Sequence, residues 1–300
     1  MEGPLVSVLM TAYNREKYIG AAIQSVLAST YKNFELIIVD DCSMDRTVEI
    51  AKSFSEKDSR IKVFVNEKNL GQFANRNLAA RLSSGKYLKY LDSDDLLYPT
   101  GLEVLVSMME QFPEAGYGLS ELDQDDQRVY PYLLTPRASY ERHFVGKVLI
   151  FYKAPLSSII KKEAFERVGG YTNPSGEGDY EMWLLLAREH NVVLMPGGTA
   201  WYRVHDEQID FQRRNNPMTR FLYYPVTLKY LTEGCPLEKE QAGMVIKRTQ
   251  GEVAKTILMT FFRHSPSTAA KMYKLVGYNW GSFLRSCYNG LAGKLSKRIK

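Results

Sequence analysis

Leu36-Ile37-Ile38-Val39-Asp40-Asp41 sets an uninterrupted apolar run directly against two carboxylates. A run this short and this rich in β-branched residues reads as a strand covered on both faces, the kind found in parallel sheets. The same pattern repeats on either side. Upstream, Val6-Ser7-Val8-Leu9-Met10 is strand-like and ends at Thr11-Ala12-Tyr13-Asn14, and residues 17–29 place Tyr18, Ile19, Ala22, Ile23, Val26 and Leu27 at helical spacing. Downstream, a helix carrying Val48, Ile50 and Ala51 opens with Ser43 or Asp45 as its N-cap. Ile61-Lys62-Val63-Phe64-Val65 is a third strand, residues 73–82 form a third helix stopped by Ser83-Ser84-Gly85, and Tyr87-Leu88-Lys89-Tyr90-Leu91 is a fourth strand. Strands alternating with helices predict a mostly parallel sheet with right-handed crossovers, an α/β fold. Such sheets bind ligands beyond the carboxyl ends of their strands. Three exits follow: residues 11–14, 40–43 and 92–95.

From Pro99 onward the spacing predicts a helix near that proline, strands at 117–119, 157–160, 192–194 and 201–204, and helices at 161–168 and 180–189. Residues 218–232, 238–262 and 267–288 read as helical. The chain has 300 residues, 45% hydrophobic and 24% charged, ordinary values for a globular protein with a sizeable core. Mean hydropathy is −0.29. No stretch approaches the roughly 18 apolar residues of a spanning helix, and no basic segment with an apolar core opens the chain, so the expected location is cytoplasmic. Cys42, Cys235 and Cys287 fit neither a disulfide framework nor a zinc site. The net charge of +5 is unevenly spread: residues 216–300 carry 14 Lys/Arg and 4 Asp/Glu, a net of +10, leaving 25 and 30 in the remainder, a net of −5. A basic tail of this kind suits an anionic surface or polymer; no nucleic-acid-binding motif accompanies it.

The exits carry the chemistry. Asp92-Ser93-Asp94-Asp95 offers two carboxylates that an extended chain would turn to one side, a set suited to a hard divalent cation holding a diphosphate. Its bland counterpart is a capped turn before the helix near Pro99. At Asp40-Asp41-Cys42-Ser43 one carboxylate could accept a base N–H or a ribose hydroxyl, and Tyr13 could stack on a nucleobase, where such contacts are worth about 1–3 kcal/mol.

These four segments, Val6 to Asn14, Val39-Asp40-Asp41-Cys42-Ser43 with Asp45 and Thr47, Asn69-Leu70-Gly71 with Asn75-Arg76-Asn77, and Leu91-Asp92-Ser93-Asp94-Asp95, resemble in order and spacing the family 2 glycosyltransferases of the GT-A fold, over about residues 4–210. The resemblance implies a nucleotide-sugar donor, most often a UDP-sugar, and Mn²⁺ or Mg²⁺. It implies that Thr11, Ala12 and Tyr13 line the base, that Asp41 binds it with Asp40 beside it, that Arg76 and Ser93 lie near the nucleotide, that Asp92 faces the ribose and that Asp94 ligates the metal, with Asp95 an ambiguous third carboxylate. The family's late acidic motif, whose aspartate is the base, matches Gly176-Glu177-Gly178-Asp179-Tyr180-Glu181-Met182-Trp183. Gly178 stands where a second acid is usual, leaving Asp179 or Glu177 as the base. Tyr202-Arg203-Val204-His205 matches an Arg-x-His element, and strand alternation would set Arg203 toward phosphate and His205 toward metal or phosphate.

The expected protein is therefore an inverting glycosyltransferase, with a hexosyl- or N-acetylhexosaminyl-type transfer to a glycan or lipid-linked saccharide. Its expected layout is a catalytic domain over 1–212, with a nucleotide-binding half 1–100 and an acceptor-side half 101–212, and a basic amphipathic helical extension over 213–300. Two readings of residues 255–300 stand level: peripheral contact with the inner face of the plasma membrane, or packing on the catalytic body. The rival overall reading is a non-catalytic sugar-nucleotide-fold binder docking an anionic partner. A dinucleotide oxidoreductase is excluded by the lack of G-x-G-x-x-G.

Overall fold

The computed structural model describes residues 3–146, 148–172, 177–205, 216–277, 279 and 281–286. The chain divides into two compact units, residues 1–139 with 148–203, and residues 140–147 with 204–300. The expected boundary at 212/213 lies outside the described residues.

The first unit is built on an eight-stranded sheet in the order β3-β2-β1-β4-β8-β6-β9-β7. Its strands are β1 (Val6–Ala12), β2 (Phe34–Asp40), β3 (Ile61–Val65), β4 (Tyr87–Tyr90), β6 (Ala115–Leu122), β7 (Tyr132–Leu134), β8 (Ser158–Lys161) and β9 (Asn191–Pro196). The first four run parallel, β8 reverses, β6 and β9 resume the original direction and β7 reverses again. The helices are α1 (Ile19–Leu27), α2 (Thr47–Ser55), α3 (Gln72–Leu82), α4 (Gly101–Glu110), α5 (Pro136–Tyr140, at the boundary), α6 (Lys162–Arg167) and α7 (Gly178–Glu189). Every residue of β2 and β4 is buried, as continuous apolar strands between helix layers require. Lys89 is the exception in chemistry: wholly buried on β4, its Nζ donates to the Leu156 carbonyl, and burial pulls its pKa down to about 7.

Topology decides where the site forms. β1 lies between β2 and β4, with Ala12 opposite Asp40 and Leu9 opposite Tyr90, so the three exits open side by side. Two expectations need correction. Of residues 201–204 only Trp201 is strand: β10 (Ala200–Trp201) pairs only with the two-residue β5 (Leu96–Leu97). The next N–H, that of Arg203, donates to the Asp95 carboxylate at 2.9 Å, so a side chain ends the ladder and the alternation inferred for Arg203 and His205 does not apply. Residues 92–95 are likewise a turn and not extended, closed by the Asp95 N–H on the Asp92 carbonyl at 3.0 Å. Neither Ser43 nor Asp45 occupies the α2 cap position, which is Arg46, although Asp45 accepts the Thr47 N–H at 2.9 Å.

The second unit is helical: α8 (Pro217–Phe221), α9 (Tyr223–Thr232), α10 (Lys239–Arg263) and α11 (Pro266–Leu275). Phe221, Val253, Ala254, Ile257, Ala269, Met272 and Phe283 form its core. The helix expected over 267–288 is interrupted after Leu275, where Gly277 takes a left-handed conformation, φ 63°, that favours glycine, and residues 281–286 are helical again. Its His143 is buried, and burial followed by the charge of Arg248 pushes its pKa down to about 3.

Candidate functional site

The first two exits are sewn together before any ligand arrives. The Asp41 N–H donates to the Ala12 carbonyl at 2.8 Å, Asn14 N–H to Ser43 Oγ at 2.8 Å, Arg15 N–H to Thr47 Oγ1 at 2.7 Å, and the Met44 N–H to Asn14 Oδ1 at 2.9 Å. Asn14 and Cys42 make these reversals in the left-handed region, φ 53° and 68°. Asp40 is buried and takes the Ser43 N–H and hydroxyl. Asp41, also buried, accepts three donors from the following loop: Asn66 Nδ2 at 2.8 Å, the Leu70 N–H at 2.8 Å and the Gly71 N–H at 2.9 Å. Gly71 sits at φ 86°, where side chains are strained, so glycine is what lets its N–H reach that carboxylate. Thr11 is half-buried, Ala12 is buried and Tyr13 is exposed beside them.

The third exit has a different character: its acids meet arginines. Arg76, on α3 and fully enclosed, sends one terminal nitrogen to both oxygens of Asp92 at 2.9 and 3.1 Å and the other to Asp179 at 2.6 Å. Burial works against the charged guanidinium, but Asp179 and Asp92 outweigh it and hold its pKa well above the ordinary value. The rings of Phe73 and Tyr171 lie 5.8 and 5.7 Å from its guanidinium carbon. A carboxylate at a strand exit and another on the first turn of α7, far apart in sequence, thus share one cation. Asp94 pairs with Arg15 at 3.2 Å, and Arg203 donates its Nε to the Asp94 carbonyl at 2.7 Å. Ser93 is buried within the turn. Asp95 is buried, Oδ2 has no hydrogen-bond partner among the described residues, and burial and then Asp92 raise its pKa to about 8. His205 belongs to the second unit. Glu177 is buried at the α7 N-cap, next to Gly178.

A divalent cation fits this chemistry. Among the described residues no three His, Cys, Asp or Glu side chains converge as a closed cage. Mg²⁺ and Mn²⁺ sites that serve phosphates need only one or two carboxylates, with phosphate oxygens completing the shell. Asp94, with the enclosed, unpaired oxygen of Asp95 beside it, offers that kind of open set.

Several participants are not visible in the linear pattern. Arg15 reads as a loop arginine, and Glu121 gives no strand-exit signal. Yet the Glu121 carboxylate takes the N–H groups of Gly198, Thr199 and Ala200 at 3.1, 2.8 and 3.2 Å, fixing the turn that leads into β10 and Arg203. Tyr152 stacks on Tyr180, next to Asp179, with centroids 4.7 Å apart and planes at 11°.

The family model described as Glycosyl transferase family 2 matches residues 7–169. This chain belongs to the family 2 glycosyltransferases. Among curated relatives it is 32% identical over 216 residues to UDP-Glc:alpha-D-GlcNAc-diphosphoundecaprenol beta-1,3-glucosyltransferase WfgD of Escherichia coli, covering 70% of this chain and 81% of that one. It also matches two uncharacterised glycosyltransferases of Haemophilus influenzae at 40% identity, of whose lengths it spans 44% and 33%. Among solved structures, residues 1–349 of S. aureus TarS in complex with UDP-GlcNAc align with a TM-score of 0.70 at 17% identity, covering 94% of this chain and 81% of that one. The mannosyltransferase PcManGT of Pyrobaculum calidifontis, in complex with GDP-Man and Mn²⁺, aligns with a TM-score of 0.58 at 16% identity, covering 96% and 87%. At those identities the likeness shows the fold, which is GT-A, as the family's motifs in this glycosyltransferase lead one to expect.

Proposed function

We propose that this glycosyltransferase moves a hexosyl or N-acetylhexosaminyl unit from a UDP-sugar to a hydroxyl of a lipid-linked saccharide, with inversion at the anomeric carbon. The observation that carries this is the Asp92–Arg76–Asp179 bridge, which links the nucleotide-side exit to the first turn of α7 within one ion-paired cluster. WfgD, named for a UDP-Glc donor and a diphosphoundecaprenol-linked acceptor, supports the donor and acceptor classes. The manganese-bound mannosyltransferase relative supports use of a divalent ion.

In this reading Tyr13 stacks on the base, the loop ordered by Asp41 carries it, and Asp92 meets the ribose. Asp94, with Asp95, would hold the cation, whose contribution when bound is to stabilise negative charge on the departing diphosphate. The acceptor oxygen bonds to the anomeric carbon as the bond to the diphosphate oxygen breaks. The nucleoside diphosphate leaves with that electron pair, and the acceptor proton passes to Asp179. Arg76, 2.6 Å from its carboxylate, fixes the orientation of Asp179, which takes the proton late in the step. One base and no protein nucleophile give inversion.

The test is transfer from a panel of UDP-sugars to a GlcNAc-diphospho-lipid acceptor by the wild type and the Asp179→Asn variant. Transfer by the wild type, lost in the variant while UDP still binds, is the expected result. Full activity of the variant would remove Asp179 from its role.

A further inference from the structure

The outward side of the second unit's longest helix carries a pattern that core packing does not need. On α10, Val253, Ala254, Ile257 and Thr260 face the core. Lys255, Leu258, Met259 and Phe262 recur at the i, i+3, i+4 and i+7 positions of the opposite face, all exposed, with Phe262 at 78%. Phe261, itself 48% exposed, packs edge-on against Phe262 at 5.2 Å and 84°. Two adjacent phenylalanines in solvent at the end of a helix gain nothing from the fold they belong to.

Along the chain the charge beyond Glu252, an exposed acid one turn before Lys255, is of one sign. From residue 253 to residue 300 the sequence holds nine Lys/Arg and not one Asp/Glu. Lys255 stands on the apolar stripe itself, and Arg263 follows Phe262 directly. A protein partner's apolar patch would account for the phenylalanines and not for an acid-free run of this length. A lipid surface accounts for both, because rings enter the boundary between headgroups and acyl chains while cations stay at anionic headgroups. No helix among the described residues is long and apolar enough to cross a membrane, so this face would lie on the bilayer.

We infer that the Lys255–Leu258–Met259–Phe262 face of α10, with Phe261 and Arg263, is a docking surface for an anionic lipid bilayer. It stands independently of the sugar-transfer reaction, since it uses only the second unit. The experiment is flotation of the full chain with vesicles of phosphatidylcholine and phosphatidylglycerol, against vesicles of phosphatidylcholine alone. The wild type is expected to float with the anionic vesicles only, and to be released at high salt. The F261S/F262S variant should lose roughly tenfold in partitioning through lost insertion, and K255E/R263E a similar factor through lost charge attraction. Circular dichroism melting of both variants should match the wild type, because every altered side chain is exposed. Failure of the wild type to float, or flotation that neither variant weakens, overturns the inference. So does a concentration-dependent dimer in light scattering that F261S/F262S dissociates, because the face would then belong to a second copy. UDP-sugar hydrolysis, followed in parallel, reports on the transfer reading separately.

Discussion

The exit of β2 and the turn after β4 begin alike, with adjacent or alternating aspartates behind a buried strand, and they put those acids to opposite use. Asp40 and Asp41 are satisfied by backbone N–H groups, a serine and an asparagine of their own neighbourhood. Asp92 and Asp94 are met by guanidinium groups from other elements, and Asp95 keeps one oxygen unsatisfied. Neutral donors around a carboxylate build a rigid loop. Fixed cations around several carboxylates hold a charged cluster that a ligand or metal can rearrange. Type and spacing of the acids do not separate the two cases; the identity of the donors does.

The strongest way to break the contrast is at Asp179. Asp179→Asn should lower transfer by about 10²–10⁴-fold, with UDP affinity by calorimetry unchanged. A drop in affinity equal to the drop in rate would make it a binding residue. Next comes Arg76. Arg76→Ala removes the cation that Asp92 and Asp179 share and should cost about 3 kcal/mol in urea unfolding. Arg76→Lys should recover little, because a single ammonium cannot serve both acids with the same forked geometry.

A pair of variants sharpens the comparison directly. Asp41→Asn turns an acceptor into a donor facing the Leu70 or Gly71 N–H and should cost about 2 kcal/mol. Asp94→Asn, whose partner Arg15 is partly in solvent, should stay within about 1 kcal/mol while removing the Mn²⁺ dependence of UDP binding. Equal stability losses would erase the distinction between the exits.

A last comparison separates the two units by pH, with an effect small per pH unit. Folded Lys89 has a pKa of about 7 against 10.5 for the free side chain, so the unfolded chain binds more protons and stability rises with pH across that window. Folded His143, at about 3 against 6.5, gives the same sign in a lower window, so its contribution is lost as pH falls from 6.5 toward 3. Lys89→Met should flatten the alkaline slope, by about 1 kcal/mol per pH unit, and His143→Gln the acidic one, both read by thermal melting.

Much of the first unit was legible because its strands are apolar on both faces and its helices are punctuated by loops. Val6, Leu36, Ile61 and Tyr87 each begin or sit within strands where the pattern put them. The second half was less legible because its order depends on distant partners. β5 and β10 are two residues long, and nothing local distinguishes Trp201 from the non-strand Tyr202. At the site, the acids stood out because they follow strands. Arg15, Glu121 and Tyr152 did not, since each acts through a contact with a residue tens of positions away. Arg76 was expected near the nucleotide; that it also clasps Asp179, 103 positions along the chain, belongs to the tertiary structure alone.

Gly178 carries one last consequence. A β-carbon added there would come within 2.6 Å of the Phe73 ring, whose neighbour three residues on is the clasping arginine. The motif of α7 and the opening of α3 are therefore interlocked parts. Grafting a Glu-Asp version of the motif onto this chain should fail unless position 73 is made smaller in the same step. Homologues that keep an acid at that place are expected to pair it with a slimmer residue at the start of the facing helix, a covariation that any sufficiently deep set of sequences can confirm or refute.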